Sequence, residues 1–403
     1  MADESLPPYT HTRQHLLDEL ALVRARAVAH TGSAEQVAEV MAPDPQVVAR
    51  RVALGLAAGV DLRLPKVEAT FGLTKTERAI LLLTLAAEVD PLFLALTRGV
   101  QGEINVSLVV GTILELCTGD MTETVDGTLL FLPGSNLRVN ALVQVEDRNF
   151  PRELPMQALR VKMDRNLALY LLGERDSSEP AWMKHVAPRP RLAQARLPAE
   201  RKTDLTAYVG QSIDAGHGVQ VEIIGPAGVG KKHLAEGICH ELGRGLLVAD
   251  CRKMVAAPGF DPEHLGARLA EIRREAMLAH ALPYLDHYQA LLVRHDSGGR
   301  PTGDEQSQTV QPSAVYTMPP ELSDFISGVG TCFLGGEERF EPLGETGEVI
   351  RVELPFPSPR QRAEIWSQVF EEVGAKPAED LDFVEIGRKL ALDAARIQAM
   401  TRA

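Results

Sequence analysis

Eight consecutive residues carry the clearest chemistry in the chain: Gly225-Pro226-Ala227-Gly228-Val229-Gly230-Lys231-Lys232. They follow the apolar run Val221 to Ile224 and open a segment with helical patterning, which is the setting a phosphate-cradling loop needs. Gly225, Gly228 and Gly230 let the backbone turn so that successive N–H groups point inward at phosphate oxygens. The N-terminus of the following helix adds its positive pole. Lys231 then reaches the distal phosphates, while Pro226, Ala227 and Val229 supply loop backbone.

The next position departs from that pattern. A Ser or Thr hydroxyl normally follows the lysine and binds Mg²⁺, but the chain has Lys232. An ammonium cannot ligate a cation and repels it. Lys232 therefore either points to solvent or stands in for the metal charge. A second acid site is expected at the end of a later apolar strand, and Ala281-Leu-Pro-Tyr-Leu-Asp286-His287 fits. Asp286 could hold Mg²⁺ directly or through water. His287 occupies the position of a glutamate that would orient the attacking water. A neutral imidazole can accept a proton, yet its reach differs, and a general-base role is the less favoured reading.

Other constellations carry less. His11 and His15 are spaced i, i+4 without an acid to complete a metal site, so they read as surface histidines. His280 with His287, and Cys239 beside His240, make no better case. Trp182 and Trp366 read as packing residues.

These side chains need elements to position them. From Gly218 onward apolar runs alternate with helical segments, which predicts a parallel α/β sheet. The strands are VQVEIIG, GLLVAD, ALPYLD, TCFLG and VIRVEL; the helices are Lys231 to Leu242, Pro262 to Leu278 and Pro320 to Ser327. A polar loop runs from Ser297 to Gln311. Helices Pro359 to Phe370, Leu381 to Leu390 and Asp393 onward finish the chain. The N-terminal half is mostly helical: Thr12 to His30, Ser33 to Met41, Pro45 to Ala58 and Leu62 to Phe71. Thr74 with Glu77 forms a capping box that opens the apolar helix TKTERAILLLTLAAEV. After the helix Ser107 to Cys117, the runs TLLFLPG and LRVNALVQVED flank Pro133-Gly134-Ser135-Asn136 and predict a hairpin. Helices followed by a hairpin is the order of a winged-helix domain. Glu179 to Pro198, with four prolines among basic residues, reads as a linker.

Composition narrows the function classes. The 403 residues suffice for two or three domains. With 42 Lys+Arg against 55 Asp+Glu, the net charge of −13 argues against a general polyanion binder. Ser107 to Cys117, the candidate recognition helix, has no Lys or Arg and includes Glu115, so a protein-contact role is expected and nucleic acid is not. The four cysteines are scattered and point to a reducing compartment. The acidic, proline-broken start is no signal peptide, and no apolar stretch approaches the ~20 residues of a membrane helix. A soluble, cytoplasmic protein without membrane partners is expected.

Together, the glycine loop, YLDH and VIRVELPFPSPRQRAEIW resemble the AAA+ ATPases. FGLTKTERAILLLTLAAEVDPLFLAL, SLVVGTILELC, LRVNALVQV and NLALYLLGER resemble the N-terminal winged-helix domain of bacterial AAA+ proteins encoded with contractile, phage-tail-like injection systems. The resemblance implies an α/β fold: a P-loop AAA+ parallel-sheet core with an incomplete helical lid, preceded by an α-helical, winged-helix domain. The implied boundaries are 1–30 for tail and helix, 31–178 for the winged-helix domain, 179–200 for the linker, 201–357 for the core and 358–403 for the partial lid. It also implies ATP or ADP bound with Mg²⁺, and a ring, as a homo-hexamer or mixed with a paralogue. Gly225, Gly228, Gly230, Lys231 and Asp286 match the pattern, and Arg339 sits where a finger would reach a neighbour's γ-phosphate. Lys232, His287, the glycines 335 and 336 at a polar sensor position, and Gln398 in place of a lid arginine all depart from it. Each departure removes a charge-stabilising part of phosphoryl transfer. The expected protein is a remodelling or assembly factor with weak or lost hydrolysis. The alternatives are an inactive scaffold working by protein contacts and, behind it, a transcriptional regulator.

Overall fold

The computed structural model describes residues 7–31, 42–101, 108–146, 155–174, 180–192, 195, 197–295, 315–337, 349–374, 381–390, 392, 396–397 and 400. The chain forms two compact units, Met1–Glu179 and Pro180–Ala403. The expected helix Ser33 to Met41, the loop Ser297 to Gln311, Arg339, Gln398 and most of the last helix lie outside the described residues.

The first unit runs α1 (Thr12–Thr31), α2 (Pro45–Ala57), α3 (Arg63–Phe71), α4 (Lys75–Val89), α5 (Pro91–Gln101), β1 (Leu108–Val109), α6 (Val110–Cys117), α7 (Met121–Leu129), α8 (Asn136–Val139), β2 (Val143–Glu146), β3 (Arg160–Met163) and α9 (Arg165–Leu171). Its helix ends are written in the sequence. Asp44 caps α2, with Pro45 at the first helical position, and Gly72 ends α3 in the left-handed region. Thr74 and Glu77 close a full capping box at α4. Ile80, Leu81, Leu82, Leu83 and Leu85 of α4 are buried, and Thr84 fits among them because its hydroxyl donates to the carbonyls of Ile80 and Leu81. The sheet is antiparallel, in the order β1-β3-β2.

Three expectations fail here. The hairpin does not lie between TLLFLPG and LRVNALVQVED: Leu129 ends α7, Leu137 to Val139 belong to α8, and β2 pairs instead with β3. Short apolar runs do not distinguish strand from helix; the choice is made by Asp120, whose carboxylate caps α7 through the Glu123 N–H. The candidate recognition helix starts at Val110 and is buried at Val110, Thr112, Ile113, Leu114 and Leu116. His15 is a core residue, 1% exposed, bonded to Glu19 at 3.1 Å. Among the described residues no single helix is long and apolar enough to cross a membrane.

The second unit runs β4 (Met183–Val186), α10 (Ala199–Asp214), β5 (Gln220–Ile224), α11 (Lys231–Glu241), β6 (Gly245–Asp250), α12 (Cys251–Ala256), α13 (Leu265–Leu278), β7 (Ala281–Asp286), β8 (Val293–His295), β9 (Val315–Thr317), α14 (Pro320–Gly328), β10 (Cys332–Gly336), β11 (Val349–Glu353), α15 (Pro359–Val373) and α16 (Phe383–Lys389). Its six-stranded sheet has the order β11-β5-β10-β7-β6-β4. Five strands are parallel, and β4 adds an antiparallel edge. Val209, Val221, Ile223, Leu234, Ile238, Tyr284 and Phe333 form one apolar layer; Leu247, Leu269, Ile272, Leu285, Phe325 and Leu334 form the other. A buried carboxylate ties the edge: Glu222 accepts from Tyr288 Oη at 2.5 Å and from Arg351 Nε at 2.8 Å.

Part of the expected linker is therefore structure. Met183 to Val186 pairs with Leu246 to Ala249, and Leu192 lies so close to α11 that a Cβ at Gly237 would come within 2.6 Å of its nitrogen. Four prolines hid this strand because the pairing needs only the short MKHV run between them. Trp366, Phe370 and Phe383 join α15 to α16 as a small helical pair.

Candidate functional site

The strand order decides where a ligand can sit. From β5 the chain crosses toward β6, whereas from β10 it crosses back past β5 to β11, so the C-terminal ends of β5 and β10 flank a switch point. The glycine loop leaves β5 there. Register places Ile224 beside Gly336, Gly335 beside Asp286, and Asp286 beside Asp250. The loop, Asp286, Asp250 and the residues after β10 thus share one end of the sheet.

Two loop glycines are required by geometry. A Cβ at Gly225 would lie 2.2 Å from the Leu354 carbonyl oxygen, a backbone atom that cannot yield. Gly230 caps α11 with φ 99°, a conformation L side chains rarely adopt. Lys231 is 6% exposed, and its ammonium donates to the carbonyls of Gly225 at 2.5 Å and Pro226 at 3.0 Å. Burial lowers its pKa against the opposing pull of Asp286 and Glu337, and Arg252 lowers it further.

Lys232 and His233 complete a first helical turn with three basic side chains and no acid. Burial lowers Lys232 as well, opposed by Glu236 and Asp286. His233 is pulled down to about 4 by burial, with Arg191 and Lys232 adding to the effect. Arg191 explains its proton state: Nη1 lies 3.0 Å from His233 Nε2, and a guanidinium only donates, so Nε2 is the acceptor and the ring is neutral. Arg191 Nε also lies 3.5 Å from Glu236.

On the acid side, Asp286 accepts from Tyr284 Oη at 3.3 Å. Tyr284 is fully buried, and burial together with Asp286 holds its phenol well above the ordinary value. Its hydroxyl lies 2.2 Å from where a Gly335 Cβ would be. The glycine at the expected sensor position thus leaves room for a polar group delivered from β7. His287 adopts φ 55°, left-handed for a non-glycine residue. Its Nε2 is 4.0 Å from Asp286 and its Nδ1 is 3.5 Å from Glu337. Arg252 Nη2 reaches the same Glu337 oxygen at 2.8 Å.

The site therefore brings together Gly225, Gly228, Gly230, Lys231, Lys232, Asp286 and His287, while Arg339 is outside the described residues. Sequence reading missed Tyr284, Glu337, Arg252, Arg191 and His233. Only Tyr284 had a signal, since residues two apart on a strand share a face. The donor set does not fit Mg²⁺: an ammonium replaces the hydroxyl ligand, and among the described residues no group of three His, Cys, Asp or Glu side chains could hold a metal ion.

Comparison with known proteins gives one family match, described as "Winged helix domain, variant", over residues 26–181. No curated protein matches. Among solved structures, one titled "Structural Basis for Katanin Self-Assembly" is similar over 52% of this chain and 68% of that one, at 14% identity and a TM-score of 0.34. A likeness this loose carries no weight for function.

Proposed function

We propose that the Gly225–Lys232 loop binds the phosphates of ATP or ADP and that the chain is an AAA+-like assembly or remodelling factor with weak or lost hydrolysis. One observation carries the reading: the two ammonium groups of Lys231 and Lys232 sit on the positive end of α11, at the switch point of a parallel sheet, behind a loop built on obligatory glycines. Cations at a helix N-terminus cost roughly 0.3–1 kcal/mol each. A bound polyphosphate reverses that sign.

When bound, the nucleotide would supply the phosphoryl group and the charge that the loop neutralises. The loop N–H groups and Lys231 hold its phosphates, and Lys232 takes the place of the cation. Asp286, steadied by Tyr284, sets the far wall. His287 faces Glu337 and Asp286 from a backbone that a side chain seldom adopts, and it lacks a glutamate's reach to an attacking water. The glycine at 335 and the ammonium at 232 favour a second reading as well, a scaffold that uses protein contacts alone. Assembly into a homo-hexamer or a mixed ring belongs to the proposal. So does the association with contractile injection systems, for which tail-sheath genes beside the coding gene are expected.

Calorimetric titration with ATP and ADP, in EDTA and in Mg²⁺, tests this. Binding in EDTA is expected, little changed by metal, and weakened at least about tenfold in Lys231→Ala. No heat at millimolar nucleotide would leave only the scaffold. Mg²⁺-dependent phosphate release, abolished by Lys231→Ala, would overturn the loss of hydrolysis.

A further inference from the structure

Helix α7 presents an apolar stripe that is exposed among the described residues of its unit. Met121, Val125 and Leu129 follow at i, i+4 and i+8, and they are 75%, 58% and 56% exposed; Leu132 extends the line. Residues at that spacing share one face, over about 12 Å or two turns. The inner face is fixed. A Cβ at Gly127 would come within 2.6 Å of the Leu114 side chain, so α7 lies directly on α6. The Thr118 and Thr124 hydroxyls meet at 2.8 Å, and Gln157 donates to Thr128 at 3.2 Å. The stripe is thus the outward side of a helix anchored on the other.

Charge says what the stripe is for. From residue 99 to residue 137 the chain has no Lys, Arg or His. Glu115 meets His30 and Arg138 donates to the Phe131 carbonyl, but Asp120 at the cap of α7 and Glu123 and Asp126 within it give that helix an acidic face. In a helix–turn–helix the second helix faces the partner, and α7 follows α6 through a short turn. DNA and RNA backbones need Lys and Arg there. An anionic bilayer is repelled for the same reason, and a second copy of this face would bring like charges together.

We propose that the outer face of α7 docks an amphipathic helix of a protein partner whose apolar stripe is flanked by Lys or Arg. Met121, Val125, Leu129 and Leu132 take the apolar side chains, and Asp120, Glu123 and Asp126 take the basic flanks. This site belongs to the N-terminal unit and does not depend on nucleotide binding in the other.

Fluorescence anisotropy on the full chain tests it, with a labelled 18-residue leucine–lysine peptide whose leucines fall at helical spacing. Controls are the same composition scrambled and the same pattern with glutamate for lysine. The patterned basic peptide is expected to bind roughly tenfold tighter than either control, with the preference lost in Met121→Ser/Val125→Ser/Leu129→Ser. Val125→Ser alone should move the same way, and thermal melting by circular dichroism should be unchanged in both variants because the side chains are exposed. Equal binding of the scrambled peptide, or full binding by the melting-competent triple variant, overturns the proposal. Concentration-dependent self-association in sedimentation, lost in the triple variant, assigns the face to a second copy and also overturns it. Variant-sensitive pelleting with phosphatidylserine vesicles does the same for a membrane.

Discussion

In the N-terminal unit the buried acids Glu19 and Asp90 each meet a cation within the unit. Glu19 is pushed up by burial, yet hydrogen bonds from His15 and Arg78 outweigh this and bring it below the usual carboxylate value. Arg78 also reaches Glu68 at 2.7 Å, and Arg24 holds Asp90 at 2.7 Å. At the end of the parallel sheet the arrangement is different. Lys231, Lys232 and His233 crowd one helix terminus, two of them lean on carbonyls or a guanidinium, and His287 sits on unusual backbone. The first arrangement is closed: its charges already have what they need. The second puts two ammonium groups and a neutral imidazole on the first turn of a helix, where the helix dipole opposes the positive charge.

Three substitutions probe that difference. Gly225→Ala should be the most severe, because the new methyl would meet the Leu354 carbonyl oxygen, a backbone atom, at 2.2 Å. A loss on the order of 4 kcal/mol is expected in urea unfolding of the second unit. Wild-type stability would mean the loop is not fixed as described.

Acidity should separate the units next. His233 stays neutral down to about 4, against an ordinary 6.5. Its folded-state pKa is depressed, so the unfolded chain takes up the proton first. Its contribution is present above about pH 6.5 and is lost as pH falls toward 4, on the order of 3 kcal/mol. Unfolding midpoints of the second unit across that window should show this slope, and His233→Gln should flatten it. An unchanged slope would mean that burial and Arg191 together do not hold His233 neutral.

The smallest effect is expected in the closed network. Arg78→Met leaves Glu19 with His15 alone. Because Arg78 is about a third exposed, the cost should be about 1–2 kcal/mol in the melting of the first unit. A larger loss than Gly225→Ala causes would reverse the contrast.

What the sequence disclosed follows from how local each signal is. The capping box at Thr74 and Glu77, the left-handed stop at Gly72 and the helix start at Lys231 after Gly230 are each complete within a few residues, and each formed where the sequence put it. The edge strand at Met183 and the partner of β2 depend on segments more distant in the chain. In the first case prolines masked the strand, and in the second a cap at Asp120 overrode an apolar run. His15 looked like a surface residue because the acid that keeps it inside, Glu19, lies one turn on and is itself buried. At the site, the glycines and Lys231 were legible as a motif. Glu337 and Arg252 were not, since Glu337 meets His287 and Arg252 only through the pairing of strands far apart in the chain.

The hydroxyl of Tyr284 and the bare backbone of Gly335 occupy one volume between them. Neither position is then free to vary alone. A side chain gained at 335 while the tyrosine stays would collide with it, and a small residue at 284 while the glycine stays would open a hole beside Asp286. Divergence at this spot must travel in pairs. Among descendants of a common ancestor, a large hydroxyl-bearing residue on β7 should accompany glycine on β10, and a smaller one should accompany a polar side chain there.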